Sequence, residues 1–525
     1  MAFYSLIIRN GKIIDGKMGE RGIGDIGINK ETIAKVGDLS NDIADEIINA
    51  EGKFVSPGFI DLTSHSDTHW TLFTEPGQES VLTQGITTIL GGNCGFSLAP
   101  LVRQEVIEGL RKWIDVSAIN INWQSFDEFL AELEKRFLAV NFASLIGLGT
   151  LRRGVIGNAG RTVNDIEAKE MIFLLDRSMK DGAFGLSTSL GRVHEKNASE
   201  TELKELLQII KNYEGLAKHH LKDEGKEIMS SLAQIIGLAR ESGARTQISH
   251  FKILGRQSWD NIAPALSMIE HGREEEKLDL WLDFFPYEKT GSNLYLLLPP
   301  WLLEEGGRKI ISRLKEPETR KNVADYLKNM TLHYDKMILA STLRDKTGLG
   351  KTLLELSQKT GLNPEELIIE LLEINELKVS IFNEVINPQH LIQLAAKKYS
   401  LFATDGLGIS GRNIESDFPH PRSFGAFPKC VNLFVNQKRI LTLEEAIYKM
   451  TGLPARNLGL NDRGTIETGK KADLVVFDLD KIEDRADYQN PVQFSEGINY
   501  VLVNGKIAVR EGKPTAIMAG KVLRK

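Results

Sequence analysis

The chain has 525 residues, with 65 Lys and Arg against 71 Asp and Glu, which gives a formal net charge of −6. This balance, without a basic stripe, argues against nucleic acid or an anionic membrane as a partner and favours a small-molecule substrate. Two cysteines, Cys94 and Cys430, cannot build a disulfide framework. The sequence also lacks a signal-peptide pattern and an apolar run long enough to cross a bilayer, so we expect a cytoplasmic protein.

Short strands joined by Asn-Gly turns are predicted at both ends of the chain. The stretch FYSLIIRNGKIIDG near the start and the stretch INYVLVNGKIAVREGKPT near the end both read as strand, turn and strand. Chain termini often lie close together in a domain. We therefore expect residues 1–55 and 465–525 to form one small β-sandwich domain around an inserted domain of residues 56–464.

The body of the chain alternates short apolar strands with amphipathic helices. Predicted strands include TTILGG, FASLIGLG, AFGLSTS, RTQISH, LWLDFFPY and SLFATDG, and predicted helices include TELKELLQIIKNYEG and PEELIIELLEINE. Repeated βα units in this number favour an α/β fold of the (β/α)₈ TIM-barrel type. The active site of such a barrel lies at the carboxyl ends of its strands.

Potential metal ligands stand at the ends of several of these strands. Cys94 follows TTILGGN, His220 follows the strand after YEG, His250 closes RTQIS, and Asp405 closes SLFAT. A thiolate with two imidazoles suits a tetrahedral zinc site that keeps one position open for water. Each residue alone is more often structural, since a lone Cys is usually a small buried hydrophobe. Spacing alone therefore leaves a structural interpretation open beside the metal site.

Seven segments of the chain carry a resemblance to a known family. They are VSPGFIDLTSHSD, GGNCGFSLAP, HLKDEG, SHFKILG, TDGL, HPRSFGAFPK and MTGLPARNLGLNDRGTIETGKKADLVVFD, in this order over nearly the whole chain. Together they resemble the D-aminoacylase group, the N-acyl-D-amino-acid deacylases of the amidohydrolase superfamily. GNCGFSLAP is the most specific of these motifs within the superfamily.

This resemblance implies a fold, a metal and a reaction. The fold is a distorted (β/α)₈ barrel with a β-sandwich built from both termini. The metal is zinc, held by Cys94, His220 and His250, and the substrate is an N-acyl-D-amino acid that is cleaved to a carboxylate and a free D-amino acid. Asp405 matches the carboxylate that takes a proton from water and returns it to the leaving amine.

The resemblance also implies which residues bind the carboxylate of the substrate. The matching positions are Lys252, Tyr287, Ser292 and Arg422. Arginine suits the task because its planar guanidinium can meet a carboxylate with two parallel hydrogen bonds.

The chain departs from the superfamily pattern after the first barrel strand. Where the superfamily usually has His-x-His, this chain has Thr63 and His65. A hydroxyl is a poor zinc ligand beside imidazole. We therefore expect one zinc per chain, with His65 left to contact the water or a weakly bound second ion.

Two other functions stay open at this point. One is a cyclic-amide hydrolase of the dihydroorotase or hydantoinase type, which has a similar terminal β-sandwich, or another secondary-amide hydrolase. The cyclic-amide hydrolases, however, bridge two metals with a carbamylated Lys and keep His-x-His. A non-catalytic oligomeric scaffold would show scattered loss of ligands. The joint presence of Cys94, His220, His250 and Asp405 favours the deacylase.

Overall fold

The computed structural model describes residues 2–103, 106, 119–303, 307–330, 332–344, 346–411 and 418–525. Its strands are β1 (Phe3–Ile14), β2 (Glu20–Asn29), β3 (Thr32–Gly37), β4 (Ile43–Asn49), β5 (Phe54–Pro57), β6 (Phe59–Asp61), β7 (Ile86–Gly91), β8 (Asn141–Ser144), β9 (Ile146–Gly147), β10 (Gly185–Ser189), β11 (Leu216–His220), β12 (Arg245–Ile248), β13 (Leu280–Phe284), β14 (Lys289–Asn293), β15 (Met337–Thr342), β16 (Val379–Glu384), β17 (Ser400–Phe402), β18 (Leu474–Phe477), β19 (Ile498–Val503), β20 (Lys506–Arg510) and β21 (Lys513–Pro514).

The α-helices are α1 (Thr71–Thr74), α2 (Glu79–Leu82), α3 (Phe126–Glu134), α4 (Leu148–Ile156), α5 (Asp165–Lys180), α6 (Glu200–Asn212), α7 (Ile228–Ser242), α8 (Ile262–Glu274), α9 (Pro300–Leu303), α10 (Gly307–Leu314), α11 (Pro317–Lys328), α12 (Leu353–Thr360), α13 (Pro364–Ile374), α14 (Pro388–Ala395), α15 (Arg422–Cys430), α16 (Leu443–Met450) and α17 (Gly452–Leu458). Within the described parts of the chain, no helix is both long and apolar enough to cross a membrane.

A nine-stranded sheet is built from both ends of the chain. Its order is β21-β20-β19-β18-β5-β1-β2-β3, and β4 pairs with β1. The two ends meet where β18 pairs antiparallel with β5, with Leu474 opposite Pro57. Apolar side chains from both ends share one cluster there, including Ile8, Val55 and Leu474. The predicted domain boundaries after residues 55 and 464 stay a prediction.

The body of the chain forms the predicted barrel of parallel strands. One run of strands is β6-β7-β8 and the other is β9-β10-β11-β12-β13-β17. Strands β8 and β9 follow each other directly and connect the two runs, while a parallel bridge between Ser64 and Gly406 connects the first strand to the last. Counting β8 with β9 as one broken strand gives eight positions, so the distorted (β/α)₈ fold is confirmed.

Sequence patterns explain the barrel elements locally. Strand β7, ITTILG, is buried along its whole length, as expected for a barrel strand covered on both faces. Helix α5 begins at a capping box in which the Asn164 side chain accepts from the Glu167 backbone amide and the Glu167 side chain accepts in return. Helices α5, α6, α7 and α8 pack on one another in sequence around the strands.

An insertion separates the last two barrel strands. Between β13 and β17, strands β14, β16 and β15 form a three-stranded antiparallel sheet with helices packed on it. The insertion has its own apolar cluster, which includes Leu294, Leu327, Leu367 and Ile381. The sequence patterns predict helices in this region but not this sheet.

Candidate metal centre

Cys94 is held in a turn that only its glycine neighbours permit. The residue lies after the end of β7 with a φ of 53°, and Gly92 and Gly95 have φ values of 69° and 78°. A Cβ at Gly92 would lie 2.0 Å from the Leu145 carbonyl oxygen, and one at Gly95 would lie 1.9 Å from a Glu195 carboxylate oxygen. A side chain at Gly92 would clash with backbone, and one at Gly95 would have to displace the buried Glu195 carboxylate, so these glycines set the place of the thiol.

Two histidines meet the thiol from neighbouring strands. His220 is the last residue of β11, and His250 follows β12 with its backbone amide donating to Asp283 Oδ1 at 2.7 Å. The Cys94 Sγ lies 3.3 Å from His250 Nε2. The rings of His220 and His250 meet edge to face with centroids 4.5 Å apart.

These three side chains fit a zinc ion. One ligand atom from each lies within 4.8 Å of the other two, and in tetrahedral zinc sites such atoms are separated by about 3.3–3.6 Å. The buried Nδ1 of His220 has no hydrogen-bond partner among the described residues. Burial raises the pKa of the Cys94 thiol, but His250, His220 and His65 outweigh burial and hold that pKa well below its usual value. Burial and Lys252 lower the pKa of His250, but Asp405 and Cys94 outweigh them and raise it to about 9. A bound zinc would replace that ring proton, which leaves a thiolate and two imidazoles as ligands.

Glu224 orients His250 from behind and lies near His220. Its carboxylate lies 3.2 Å from His250 Nδ1 and 3.9 Å from His220 Nε2, and it accepts from Lys252 Nζ at 2.6 Å. Burial raises the pKa of Glu224, but the Lys252 ammonium and the two imidazoles hold that pKa well below its usual value. A carboxylate behind a ligating imidazole fixes the ring and strengthens it as a ligand.

Asp405 faces the same space from the end of β17. Its Oδ1 lies 2.9 Å from His65 Nε2, and its Oδ2 lies 2.7 Å from Arg422 Nη1. Burial raises the pKa of Asp405, but Arg422, His250 and His65 outweigh it and keep the carboxyl ionised. Burial also opposes a charge on His65, and contacts with Asp405 and Cys94 overcome it to raise the pKa of that imidazole to about 10.

The four predicted substrate-binding residues have different surroundings. Lys252 donates to the Glu224 carboxylate and to the His250 backbone carbonyl, and Arg422 pairs with Asp405. Tyr287 is 4% exposed, and its hydroxyl donates to the Pro421 carbonyl at 3.4 Å, beside the start of α15. Ser292 is half-buried in β14 of the insertion, opposite Ile381. The structure thus brings Lys252 and Arg422 into contact with the proposed centre, and the role of all four stays a prediction.

Two residues of this site, Glu224 and Lys218, are not among those predicted from the sequence. Glu224 lies inside the quoted motif HLKDEG, four residues after His220, and that spacing could have identified it. Lys218, two residues before His220, is fully buried and donates to Thr63 Oγ1 at 2.5 Å. No local sequence pattern indicates the contact between Lys218 and Thr63, because the two residues are 155 positions apart.

The chain belongs to the amidohydrolase family, whose model matches residues 46–249 and 412–509. Within it, the chain belongs to the D-aminoacylase group. It is 31% identical to the N-acyl-D-glutamate deacylase of Alcaligenes xylosoxydans xylosoxydans, over 99% of this chain and 96% of that protein.

Two solved structures of the group superpose with TM-scores of 0.83, each covering 99% of this chain and all of the other. One, 26% identical, is the N-acyl-D-glutamate deacylase of Bordetella bronchiseptica in complex with zinc and a phosphonate inhibitor that mimics the tetrahedral intermediate. The other, 27% identical, is a D-aminoacylase with a binuclear metal centre, in which one metal activates and the second attenuates.

Proposed function

We propose that this protein is a zinc-dependent deacylase that hydrolyses N-acyl-D-amino acids to a carboxylate and a free D-amino acid. The observation that carries the proposal is the convergence of Cys94, His220 and His250 with Asp405 at the carboxyl ends of the barrel strands. The zinc and phosphonate complex of the Bordetella deacylase, which shares the fold over its whole length, supports the same chemistry.

Cys94, His220 and His250 would hold the metal. Zinc in such a set supplies Lewis-acid polarisation of a carbonyl and makes a water molecule more acidic. Glu224 keeps the imidazole of His250 oriented through Nδ1. Because the Cys94 side chain is only 4% exposed, the thiolate is shielded from bulk water.

Asp405 would move the proton. Its carboxylate is ionised and is fixed by His65 on one oxygen and by Arg422 on the other. We infer that it accepts a proton from the attacking water and delivers it to the nitrogen of the scissile amide, which leaves as a free amine. Arg422 orients this carboxylate, and its buried Nε has no partner among the described residues, so donors remain for the substrate carboxylate.

The Lys289 ammonium of the insertion is already held in an ion pair. Lys289, the cation of β14, is ion-paired with Glu384 of β16, and Lys336 lies 3.3 Å from the same carboxylate. An acidic substrate side chain would therefore have to compete with Glu384 for the Lys289 ammonium. We propose that substrates such as N-acetyl-D-methionine are hydrolysed better than N-acetyl-D-glutamate.

The test is release of free amine from a panel of N-acetyl-D-amino acids and N-acetyl-L-amino acids, beside formation of the N-carbamoyl acid from dihydropyrimidine or hydantoin rings. We expect turnover of the linear D-compounds alone. Preferential ring opening would support the cyclic-amide hydrolase instead, and zinc-loaded protein without turnover on any panel member would contradict the substrate assignment.

A further inference from the structure

A fully buried lysine lies directly beneath the proposed ligands. The ammonium of Lys218 donates to the Leu62 carbonyl, to Thr63 Oγ1 at 2.5 Å and to Asn93 Oδ1 at 2.9 Å. It also lies 3.3 Å from Asp283 Oδ2, and both charged side chains have no exposed surface. An ammonium group has three hydrogens, so these oxygens use all of its donors. We call Thr63, Asn93, Lys218 and Asp283 the lower layer.

Three members of the lower layer are each tied to a residue of the ligand layer, which is Cys94, His220 and His250. Lys218 precedes His220 by two positions on β11, and side chains two apart point to the same face of a strand. Asn93 is bonded to Lys218 and directly precedes Cys94. Asp283 accepts from the His250 backbone amide. The position of the ammonium is therefore linked to the position of all three ligands.

Burying this charge pair is costly. The Asp283 carboxylate also accepts from Thr63 Oγ1 at 2.9 Å and from Gln247 Nε2 at 2.5 Å, so the pair is well bonded. Even so, buried ion pairs can often be replaced by apolar residues of the same size without loss of stability. Stability alone is therefore a weak reason for a lysine at this position. Its contact with Thr63 suggests that its charge affects metal binding.

We propose that Lys218 supplies the positive charge that a second metal ion supplies in a binuclear centre, and so limits this centre to one ion. This inference rests on the proposed function. Thr63 stands where the superfamily usually has a ligating histidine, and its hydroxyl is already bonded to Lys218 and Asp283. A divalent ion beside it would meet a fixed ammonium in a site without bulk water, where like charges repel strongly.

The carboxylate that a second ion would use is already paired with a cation. Asp405 pairs with Arg422 at 2.7 Å and contacts His65 at 2.9 Å. A second ion would have to displace the guanidinium of Arg422 as well as approach Lys218. In the D-aminoacylase relative a second metal attenuates activity; here the lysine removes that possibility, so zinc in excess leaves turnover unchanged.

The experiment compares zinc binding by the intact protein and by variants of Lys218. Three proteins are dialysed against a series of free zinc concentrations: wild type, Lys218→Met, and the double variant Thr63→His with Lys218→Ala. Zinc per chain is then measured by mass spectrometry. Lys226→Met serves as the matched control, because Lys226 is exposed and lies on the same loop as Glu224. Thermal melts confirm that each variant is folded.

We expect wild type and Lys226→Met to saturate at one zinc, and Lys218→Met to bind a second zinc at least about 10²-fold more tightly than wild type. If Lys218→Met does not fold, the double variant carries the test, because it removes the ammonium and returns an imidazole; we expect two zinc ions per chain.

Two zinc ions in wild type would overturn the inference, as would a folded Lys218→Met protein, or a folded double variant, that binds no second ion. Wild type without any zinc would instead overturn the proposed function.

Discussion

The ligand layer and the lower layer of the barrel differ in how many of their polar atoms have a hydrogen-bond or ion-pair partner within the protein. In the lower layer, Lys218 and Asp283 bond each other and their neighbours, so two buried charges cancel within the protein. In the ligand layer, a thiol and two imidazoles crowd together, and His220 Nδ1 has no partner among the described residues. Buried polar groups are normally satisfied, so the layer that is incomplete by itself is the one that needs a cation from outside.

The largest effect should come from removing the thiolate from the ligand layer. We expect Cys94→Ala to lose bound zinc and turnover together, because the two remaining imidazoles are a poor set for zinc. The control is Cys430→Ala, which removes the other buried cysteine of the chain from helix α15. Zinc content and turnover are measured on both proteins. Full zinc occupancy in Cys94→Ala would show that the ligand set is wrong.

The next effect should come from the carboxylate that faces the ligand layer. We expect Asp405→Asn to keep its zinc while kcat falls by roughly 10²–10⁴-fold, the usual contribution of a general acid–base group. Asp127→Asn is the control, since Asp127 pairs with Arg524 on the surface. Steady-state kinetics on the best substrate measure the change, and near-wild-type kcat would remove Asp405 from the mechanism.

A smaller effect should follow from weakening the support behind the ligands. Glu224→Gln keeps the shape of the side chain but removes the charge that faces His250 Nδ1 and His220 Nε2. We expect zinc affinity to fall by about 10–100-fold, as is typical for such supporting carboxylates. Competition with a chelator measures it, with the exposed Glu227→Gln as control. An unchanged affinity would mean that Glu224 serves only to bind Lys252.

The smallest effect should come from the insertion. Lys289→Met removes a cation that Glu384 already compensates, so we expect kcat/KM for uncharged N-acetyl-D-amino acids to change by less than about threefold, the scale of a partly exposed ion pair. The measurement includes N-acetyl-D-glutamate. A loss of more than tenfold confined to that acidic substrate would show that Lys289 binds its side chain.

The two layers also differ in how much of them the sequence predicts. Cys94, His220 and His250 follow short apolar strands, and the barrel rule places such residues on one face. The replacement at Thr63 is visible in the sequence too. The role of its partner Lys218 is not visible in the sequence. No local sequence pattern indicates that a lysine between Ala217 and His219 points into the barrel and not towards solvent.

The insertion and the Arg422–Asp405 pair could not be predicted from the sequence either. The barrel and the terminal strands have strong local patterns, whereas β14 and β16 are short, mixed in polarity and separated by 85 residues of chain, from Asn293 to Val379. The motif resemblance implies that Arg422 binds the substrate carboxylate, and in the structure Arg422 also pairs with Asp405. Motif resemblance predicts which residues belong to a site and does not predict which of them contact each other.

The central claim is that the ligand layer holds one zinc ion on which amide hydrolysis depends. The most direct measurement is zinc per chain and turnover of N-acetyl-D-amino acids on the same preparation, before chelation, after it and after zinc is restored. We predict about one zinc per chain, loss of turnover with loss of zinc, and recovery of both. Turnover that persists in zinc-free protein, or restored zinc without turnover of any D-compound, would contradict the claim.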